Sequence, residues 1–370
     1  MSREQIFTAS LDFFLAPVRD ALNDPQVTEI MINGASEIYL ERGGRLFRTE
    51  YQFPHEDALR AAVCNIAQYV GREISEQRPI LDARLPDGSR VHAVLPPASR
   101  NGILLSIRKF RRDVFTLDQL CRIGSLSPIA AEFLGVCVRL RKNIVVSGGT
   151  GSGKTTFLNA LSTAIPPDDR IVVIEDSSEL RLAQPHTLYL ETRPADASGR
   201  HAISIRQLFA ASLRMRPDRI IVGEVRGGEA LDMVQSMLSG HSGGMTSIHA
   251  NQPRDALIRL ETLSLMSDVE LPVYVARAQA AAAIHLIVQI ARFSEDGSRR
   301  VTRITEQTGL DAQNNYQFNE LFVATNQGRA ADGRLRMSLA PTGNRPTFAN
   351  EAREAGLGAV TNLSKALWEA

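Results

Sequence analysis

Four short apolar runs recur through the middle of the chain: Ile144-Val145-Val146, Ile171 to Ile174, Ile220 to Val222 and Thr246 to Ile248. Between them lie stretches with helical spacing, such as Glu229 to Leu238, where Ala230, Met233, Val234, Met237 and Leu238 share one face. Strands alternating with helices predict a parallel α/β sheet. A helical segment at Ile129 to Leu140 leads into it. The runs Ile284 to Ile290 and Val301 to Thr305, separated by Glu295-Asp296-Gly297-Ser298, predict a closing hairpin.

The first hundred residues have a different texture, that of an α+β unit. An amphipathic helix carries Ile6, Phe7, Leu11, Phe13 and Phe14, with Asp12 among them, and the opening ends near Asn23-Asp24-Pro25. Ile30-Met31-Ile32, Ile38-Tyr39-Leu40 and Arg45-Leu46-Phe47 predict meander strands, and Ile103 to Ile107 another. Asn33-Gly34, Gly43-Gly44 and Asp87-Gly88 are turn signals, and His55 to Val70 has helical spacing. The expected domains are an α+β unit at 1–110, a linker at 111–127, an α/β unit at 128–306 and a tail at 307–370. The tail has an Asp332-Gly333 turn and a short helix around Val360 to Leu367.

Composition narrows the class. The formal net charge is +1, so no global field steers the chain toward nucleic acid. The basic run Arg108-Lys109-Phe110-Arg111-Arg112 reads as a solvated linker face. Cys64, Cys121 and Cys137 are odd in number and far apart, which excludes a disulfide framework or four-thiolate zinc site and predicts a cytoplasmic setting. No apolar run approaches the roughly 18 residues needed to span a bilayer.

The chemistry is concentrated after the first apolar run. Gly148-Gly149-Thr150-Gly151-Ser152-Gly153-Lys154-Thr155 follows a strand and opens the helical run from Thr156 to Ala164. Glycines let backbone N–H groups close on phosphates, and the helix N-terminus adds positive potential. Lys154 is placed to reach the β and γ phosphates, and Thr155 to give a hydroxyl to Mg²⁺. The second run ends in Glu175-Asp176-Ser177-Ser178-Glu179. Ligands of open α/β sheets sit beyond such strand ends, where a carboxylate, with Glu179 the leading candidate, can activate water. The alternative is capping by Asp176 or a neighbouring serine, with Glu179 completing a capping box.

The third run ends Gly223-Glu224 rather than in the Asp usual at this point, and Glu224 is expected to act on the water shell of Mg²⁺. The fourth leads to His249, a candidate γ-phosphate sensor, with His241 earlier in the same Gly-rich unit.

Taken in order, GGTGSGKTT, IEDSSEL, LRMRPDRIIVGEVRGGEALDM and SGHSGGMTSIHAN resemble the four boxes of the secretion ATPases of type II and type IV secretion systems. VTEIMINGASEIYLE, RPILDARLPDGSRVHAVLPP, ILLSIRKF and ITEQTG extend the resemblance over nearly all the chain. The tail from Pro341 to Phe348 is similar to that of the CpaF type, which powers Tad pilus assembly.

The resemblance implies a RecA-like P-loop NTPase domain behind a smaller α+β domain, a hexameric ring, and ATP with Mg²⁺ in the cleft between domains. It assigns nucleotide contacts to Gly148 through Thr156, catalysis to Glu179, cation binding to Thr155 and Glu224, and sensing to His249. It maps phosphate-binding arginines to Arg90 and Arg108, with Arg214, Arg216 and Arg226 as candidates at a subunit boundary. It further implies inner-membrane platform partners and a peripheral site at the inner face of the bacterial inner membrane, with no direct nucleic-acid contact.

The tetracysteine motif of other branches is absent, Ser239 and Ser247 stand where relatives often carry Thr, and the subgroup's N-terminal extension is expected to be missing. The competing readings are a RecA-like nucleic-acid motor and a non-catalytic nucleotide-gated scaffold.

Overall fold

The computed structural model describes residues 3–110, 115–193, 195, 199–331 and 333–369. The chain forms two compact units, Met1–Asp113 and Val114–Ala370.

The first unit opens with α1 (Arg3–Phe14) and α2 (Arg19–Asn23), continues through β1 (Val27–Asn33), β2 (Ile38–Arg42), β3 (Arg45–Arg48) and α3 (Glu56–Tyr69), and ends with β4 (Ile80–Arg84), β5 (Arg90–Val94) and β6 (Leu104–Arg108). The six strands make one antiparallel sheet in the order β3-β2-β1-β6-β5-β4. Buried residues alternate along β5 and, past the irregularity at Val27 to Glu29, along β1, as a sheet with one covered face requires. His55 caps α3 by accepting from Ala58 N, and its buried residues Leu59, Ala62, Val63 and Ile66 follow the sequence periodicity. Phe7 of α1 stacks on Tyr69 at the end of α3, with ring centroids 3.7 Å apart. The hairpin of β4 and β5 around Asp87-Gly88 adds a pair of strands that the turn signal alone had marked.

The second unit begins earlier than the sequence boundary. Within the expected linker, Thr116 and Gln119 form a capping box for α4 (Leu117–Arg122), whose Leu117 and Leu120 are buried in the main core. Residues 111–114, including Arg111, Arg112 and Asp113, lie outside the described residues, as do Met1, Ser2 and Asp332. Next come α5 (Pro128–Arg139), β7 (Ile144–Gly148), α6 (Lys154–Ser162), β8 (Ile171–Glu175), β9 (Thr187–Glu191), α7 (Ile205–Ser212), β10 (Arg219–Val222), α8 (Glu229–Leu238) and β11 (Met245–Ile248). After these come α9 (Pro253–Leu265), α10 (Val273–Ala283), β12 (Leu286–Arg292), β13 (Arg299–Leu310), β14 (Tyr316–Arg329), β15 (Leu335–Pro341), α11 (Ala349–Glu354) and α12 (Lys365–Trp368).

The nine strands run in the order β15-β14-β13-β12-β7-β11-β10-β8-β9. From β12 to β9 neighbouring strands are parallel, and β13 to β15 extend the sheet as an antiparallel meander. Both faces of the parallel part are covered. Ile144, Val146, Ile171, Val173 and Ile221 enter the core under α5 and α6, while Val145, Val172, Ile174, Ile220 and Val222 enter the core under α7 to α10. This two-sided burial is why these strands are apolar at successive positions.

The boundary expected at 306 falls inside β13, and much of the chain beyond it packs on the same unit. Trp368 is buried and stacks on Phe133 of α5 at 5.1 Å between centroids. Glu306 is buried and accepts from Thr347 N and Asn319 Nδ2. The continuation beyond 307 was obscured because β14 and β15 carry polar, part-exposed residues along most of their length.

At the opposite end of β7 from its glycine loop, buried Asn143 ties two other segments to the start of the strand. Its side chain accepts from Gly243 N and Gly244 N and donates to Ala283 O, while its own N–H donates to His285 Nδ1. Burial holds the His285 imidazole down at about 4. Between that value and about 6.5 the unfolded chain binds a proton that the folded chain refuses, so stability falls with acidification. Unfolding measured between pH 7 and 4 should show a loss of up to about 3 kcal/mol from this residue. His285→Gln should flatten that part of the profile, and an unchanged slope would refute the assignment.

Candidate functional site

The sheet order explains how distant sequence segments meet. The parallel strands β7, β11, β10 and β8 are consecutive neighbours. Their carboxyl ends carry, in turn, the glycine loop, His249, Glu224 and the segment Glu175 to Glu179. With strands about 4.8 Å apart, four chemical groups fall along one edge of the sheet.

The glycine loop is shaped by close contact. A Cβ on Gly148 would lie 2.5 Å from Ser152 Oγ and 2.6 Å from Ile290 O, so no larger residue fits where β7 ends. Gly151 and Gly153 have φ of +69° and +94°, which glycine adopts without strain. Ser152 Oγ donates to Gly149 O at 2.9 Å and closes the loop on itself. Lys154, the first residue of α6, is buried, and its Nζ donates to Gly148 O and Gly149 O at 3.1 Å each. The same ammonium lies 3.3 Å from His249 Nε2. Thr155 and Thr156 follow in the first turn of α6, with Thr150 at the loop's exposed crest.

Thr155 Oγ1 donates to Glu179 Oε2 at 3.2 Å, joining the loop to the acidic segment. No helix starts at Asp176 to Leu180, so the capping-box alternative for Glu179 does not hold. Glu175, buried at the end of β8, accepts from Glu179 N and Leu180 N. Burial, reinforced by the charges of Glu179 and Glu191 but opposed by those two N–H groups, raises its carboxyl to about 7.

Glu224 follows β10. Its Oε2 accepts two bonds from Arg226, from Nε at 2.9 Å and Nη2 at 2.6 Å. Its Oε1 lies 2.7 Å from His249 Nε2 but off the direction of a hydrogen bond, so among the described residues this buried oxygen has no aligned donor. Burial, together with the Lys154 ammonium, lowers the His249 imidazole below its ordinary value against the pull of Glu224. At neutral pH the ring is mainly neutral and suited to hydrogen bonding rather than to carrying charge.

Other candidates lie elsewhere. Arg214 and Arg216 precede β10, and His241 precedes β11, so all three sit toward the opposite edge of the sheet from the glycine loop. Arg226 is on the loop's side, 3.8 Å from Asp176 and paired with Glu224. Arg90 and Arg108 belong to the first unit, where they are direct register partners on β5 and β6. Arg84 is the partner of Arg90 on β4, so three arginines form one row across that sheet.

Sequence reasoning missed two arginines beside the loop, Arg292 and Arg299, register partners where β12 meets β13. Arg299 Nε donates to Gly151 O at 2.8 Å, and its Cδ would be 3.2 Å from a Cβ on Gly153. Arg292 Nη1 would be 3.4 Å from a Cβ on Gly151. The signal was present in Glu295-Asp296-Gly297-Ser298-Arg299, a turn whose flanking arginines the parallel sheet brings next to β7.

The type II/IV secretion system protein family matches residues 14–338. The type IV secretion system protein PtlH of Bordetella pertussis is 38% identical over 332 residues, covering 82% of this chain and 97% of that protein. VirB11 of Brucella suis is 34% identical over 322 residues, covering 79% and 88%. The conjugal transfer protein TrbB of Rhizobium radiobacter is 34% identical over 302 residues, covering 80% and 88%. Among solved structures, the ATPase DotB of Yersinia pseudotuberculosis superposes with a TM-score of 0.55 at 16% identity, covering 85% of this chain and 81% of that one. The pilus retraction motor PilT with bound ADP gives 0.52 at 16%, covering 96% and 89%. At such identity these two show a shared fold.

Arg299→Ala should weaken nucleotide binding roughly tenfold, the effect of losing one charge-assisted bond to the loop. A fluorescent ADP analogue in equilibrium titration measures it, and unchanged affinity would show that the loop keeps its shape unaided.

Proposed function

Because the chain belongs to the type II/IV secretion system protein family, we propose that it is an ATP hydrolase that powers transport through a membrane-embedded secretion system. The observation that carries this reading is the meeting of the glycine loop, Glu179, Glu224 and His249 at four consecutive strand ends, tied by the Thr155 to Glu179 bond and the Lys154 approach to His249.

In this reading the N–H groups of Gly149 through Thr156 cradle the phosphates, and Lys154 exchanges its two carbonyl partners for phosphate oxygens. Glu179 orients and deprotonates the attacking water. His249, neutral and beside Lys154, accepts or donates a hydrogen bond according to whether the γ-phosphate is attached.

Mg²⁺ fits the donor set. Among the described residues no three His, Cys, Asp or Glu side chains gather to hold a metal alone. That suits a cation carried mainly by phosphate and water, with Thr155 Oγ1 as a direct ligand and Glu224 Oε1 acting on its water shell. Bound Mg²⁺ supplies neutralisation of charge on the β and γ phosphates. Arg90 and Arg108 are proposed to add further positive charge to the phosphates, as the resemblance of the segments that carry them implies.

The finer assignment is a hexameric ring of the Tad, CpaF-like type, working with inner-membrane platform proteins. The similarity of residues Pro341 to Phe348 to that subgroup motivates it. Among the described residues no helix is long and apolar enough to cross a membrane, which suits membrane association through those partners.

ATP turnover of the purified protein, followed against concentration together with its mass in solution, tests the proposal. Hydrolysis should rise with hexamer formation. Lys154→Ala should abolish it, and Glu179→Gln should lower kcat by at least about a hundredfold while nucleotide still binds. Glu179→Gln at the wild-type rate would remove Glu179 from its role, and a monomer hydrolysing at full rate would remove the ring.

A further inference from the structure

The two acidic segments of the site are held together by a residue that has no assigned part in the chemistry. We infer that Glu175 is a positioning residue that fixes Glu179 and Glu224 relative to one another, with Gly223 as the point of contact between them. The inference rests on the roles proposed above for Glu179 and Glu224.

Glu175 is the last residue of β8 and is 5% exposed. Its Oε1 accepts from Glu179 N and Leu180 N, both at 3.0 Å, and Oε2 lies 3.3 Å from Leu180 N. The carboxylate therefore grips the backbone that carries the Glu179 side chain. No helix or strand supplies acceptors for those two N–H groups. Left unpaired and buried, they would favour a different path for the segment.

The other side of the same side chain rests on β10. A Cβ on Gly223 would lie 2.8 Å from Glu175 Cγ and 3.0 Å from its Oε1. Gly223 has no left-handed φ, so glycine is needed there for space and not for conformation. Gly223 N donates to Ile174 O at 2.9 Å, the residue before Glu175, and Gly223 O accepts from Ser247 Oγ at 2.8 Å. Glu224 begins at the very next peptide, and His249 lies two residues beyond Ser247. One continuous set of contacts thus links the backbones bearing Glu179, Glu224 and His249, with Glu175 at its centre.

A purely structural role would lower stability and leave the chemistry of the folded protein intact. A positioning role has a different signature, because the Glu175 carboxylate holds the backbone of Glu179 and Leu180, which carries the proposed base, rather than the nucleotide. In steady-state ATP hydrolysis, Glu175→Ala should lower kcat by at least about tenfold, since displacements near 1 Å are that costly to a reacting geometry. The KM and the affinity for an ADP analogue should stay within about twofold. Glu175→Gln keeps an acceptor at Oε1 and should retain kcat within a few-fold of wild type, whereas Glu175→Asp, whose oxygens are drawn back by one methylene, should not.

Gly223→Ala should give the same selective loss of kcat from the neighbouring strand. Combined with Glu175→Ala it should cost nothing further, because the colliding side chain is gone. Wild-type kcat in Gly223→Ala or in Glu175→Asp would overturn the inference, as would additive losses in the double variant. If Glu175→Ala fails to fold, Glu175→Gln and Glu175→Asp decide the question. Wild-type turnover and Glu179→Gln, measured alongside, test the underlying reading by themselves. An inactive wild type, or unimpaired Glu179→Gln, rejects that reading and with it the inference.

Discussion

The absence of a side chain at Gly148 is the constraint on which the site depends. Strand β7 ends between the Ile290 carbonyl of β12 and the Ser152 hydroxyl, and any Cβ there would collide with both. The backbone can therefore turn sharply back over its own strand end, Ser152 closes the loop, and Lys154 enters α6 with its ammonium over the carbonyls it has just passed. Without that turn, the N–H groups of the loop and the start of α6 would not converge on one point. The loop geometry proposed to bind phosphate is thus a consequence of packing between β7 and β12.

The second determinant is strand order. Placing β11 and β10 between β7 and β8 sets His249 and Glu224 between the glycine loop and Glu179. The groups on this edge are mutually constrained. Arg226 holds one oxygen of Glu224, His249 crowds the other, Lys154 approaches His249, and Thr155 bonds Glu179. Under the proposed function, exchange of one of these partners for a phosphate oxygen would alter the next contact, and a change at the γ-phosphate would be felt at three strand ends.

Much of this was legible in the sequence. The strands β7, β8, β10 and β11 are apolar because both sheet faces are covered, and the residues at their carboxyl ends read directly as the candidate site. The glycine loop declared itself by spacing. The features that escaped did so for physical reasons. The strands β14 and β15 are long but only partly buried, so residues after 307 looked like a tail, although Trp368 reaches Phe133 in the core. The helix of Leu117 and Leu120 looked like a connector because it is six residues long. Arg292 and Arg299 are distant in sequence from the loop and become its neighbours only through the pairing of β12 with β7. His241 and His249 stood in one motif, yet β11 separates them to opposite edges of the sheet.

The most direct test of the proposed site is a structure of the protein with Mg²⁺ and a non-hydrolysable ATP analogue. Lys154 Nζ should lie within about 2.9 Å of a β or γ phosphate oxygen and no longer on the carbonyls of Gly148 and Gly149. Thr155 Oγ1 should have left Glu179 for the cation. Nucleotide bound away from the strand ends, or bound there with Lys154 still on its two carbonyls, would rule the proposed site out.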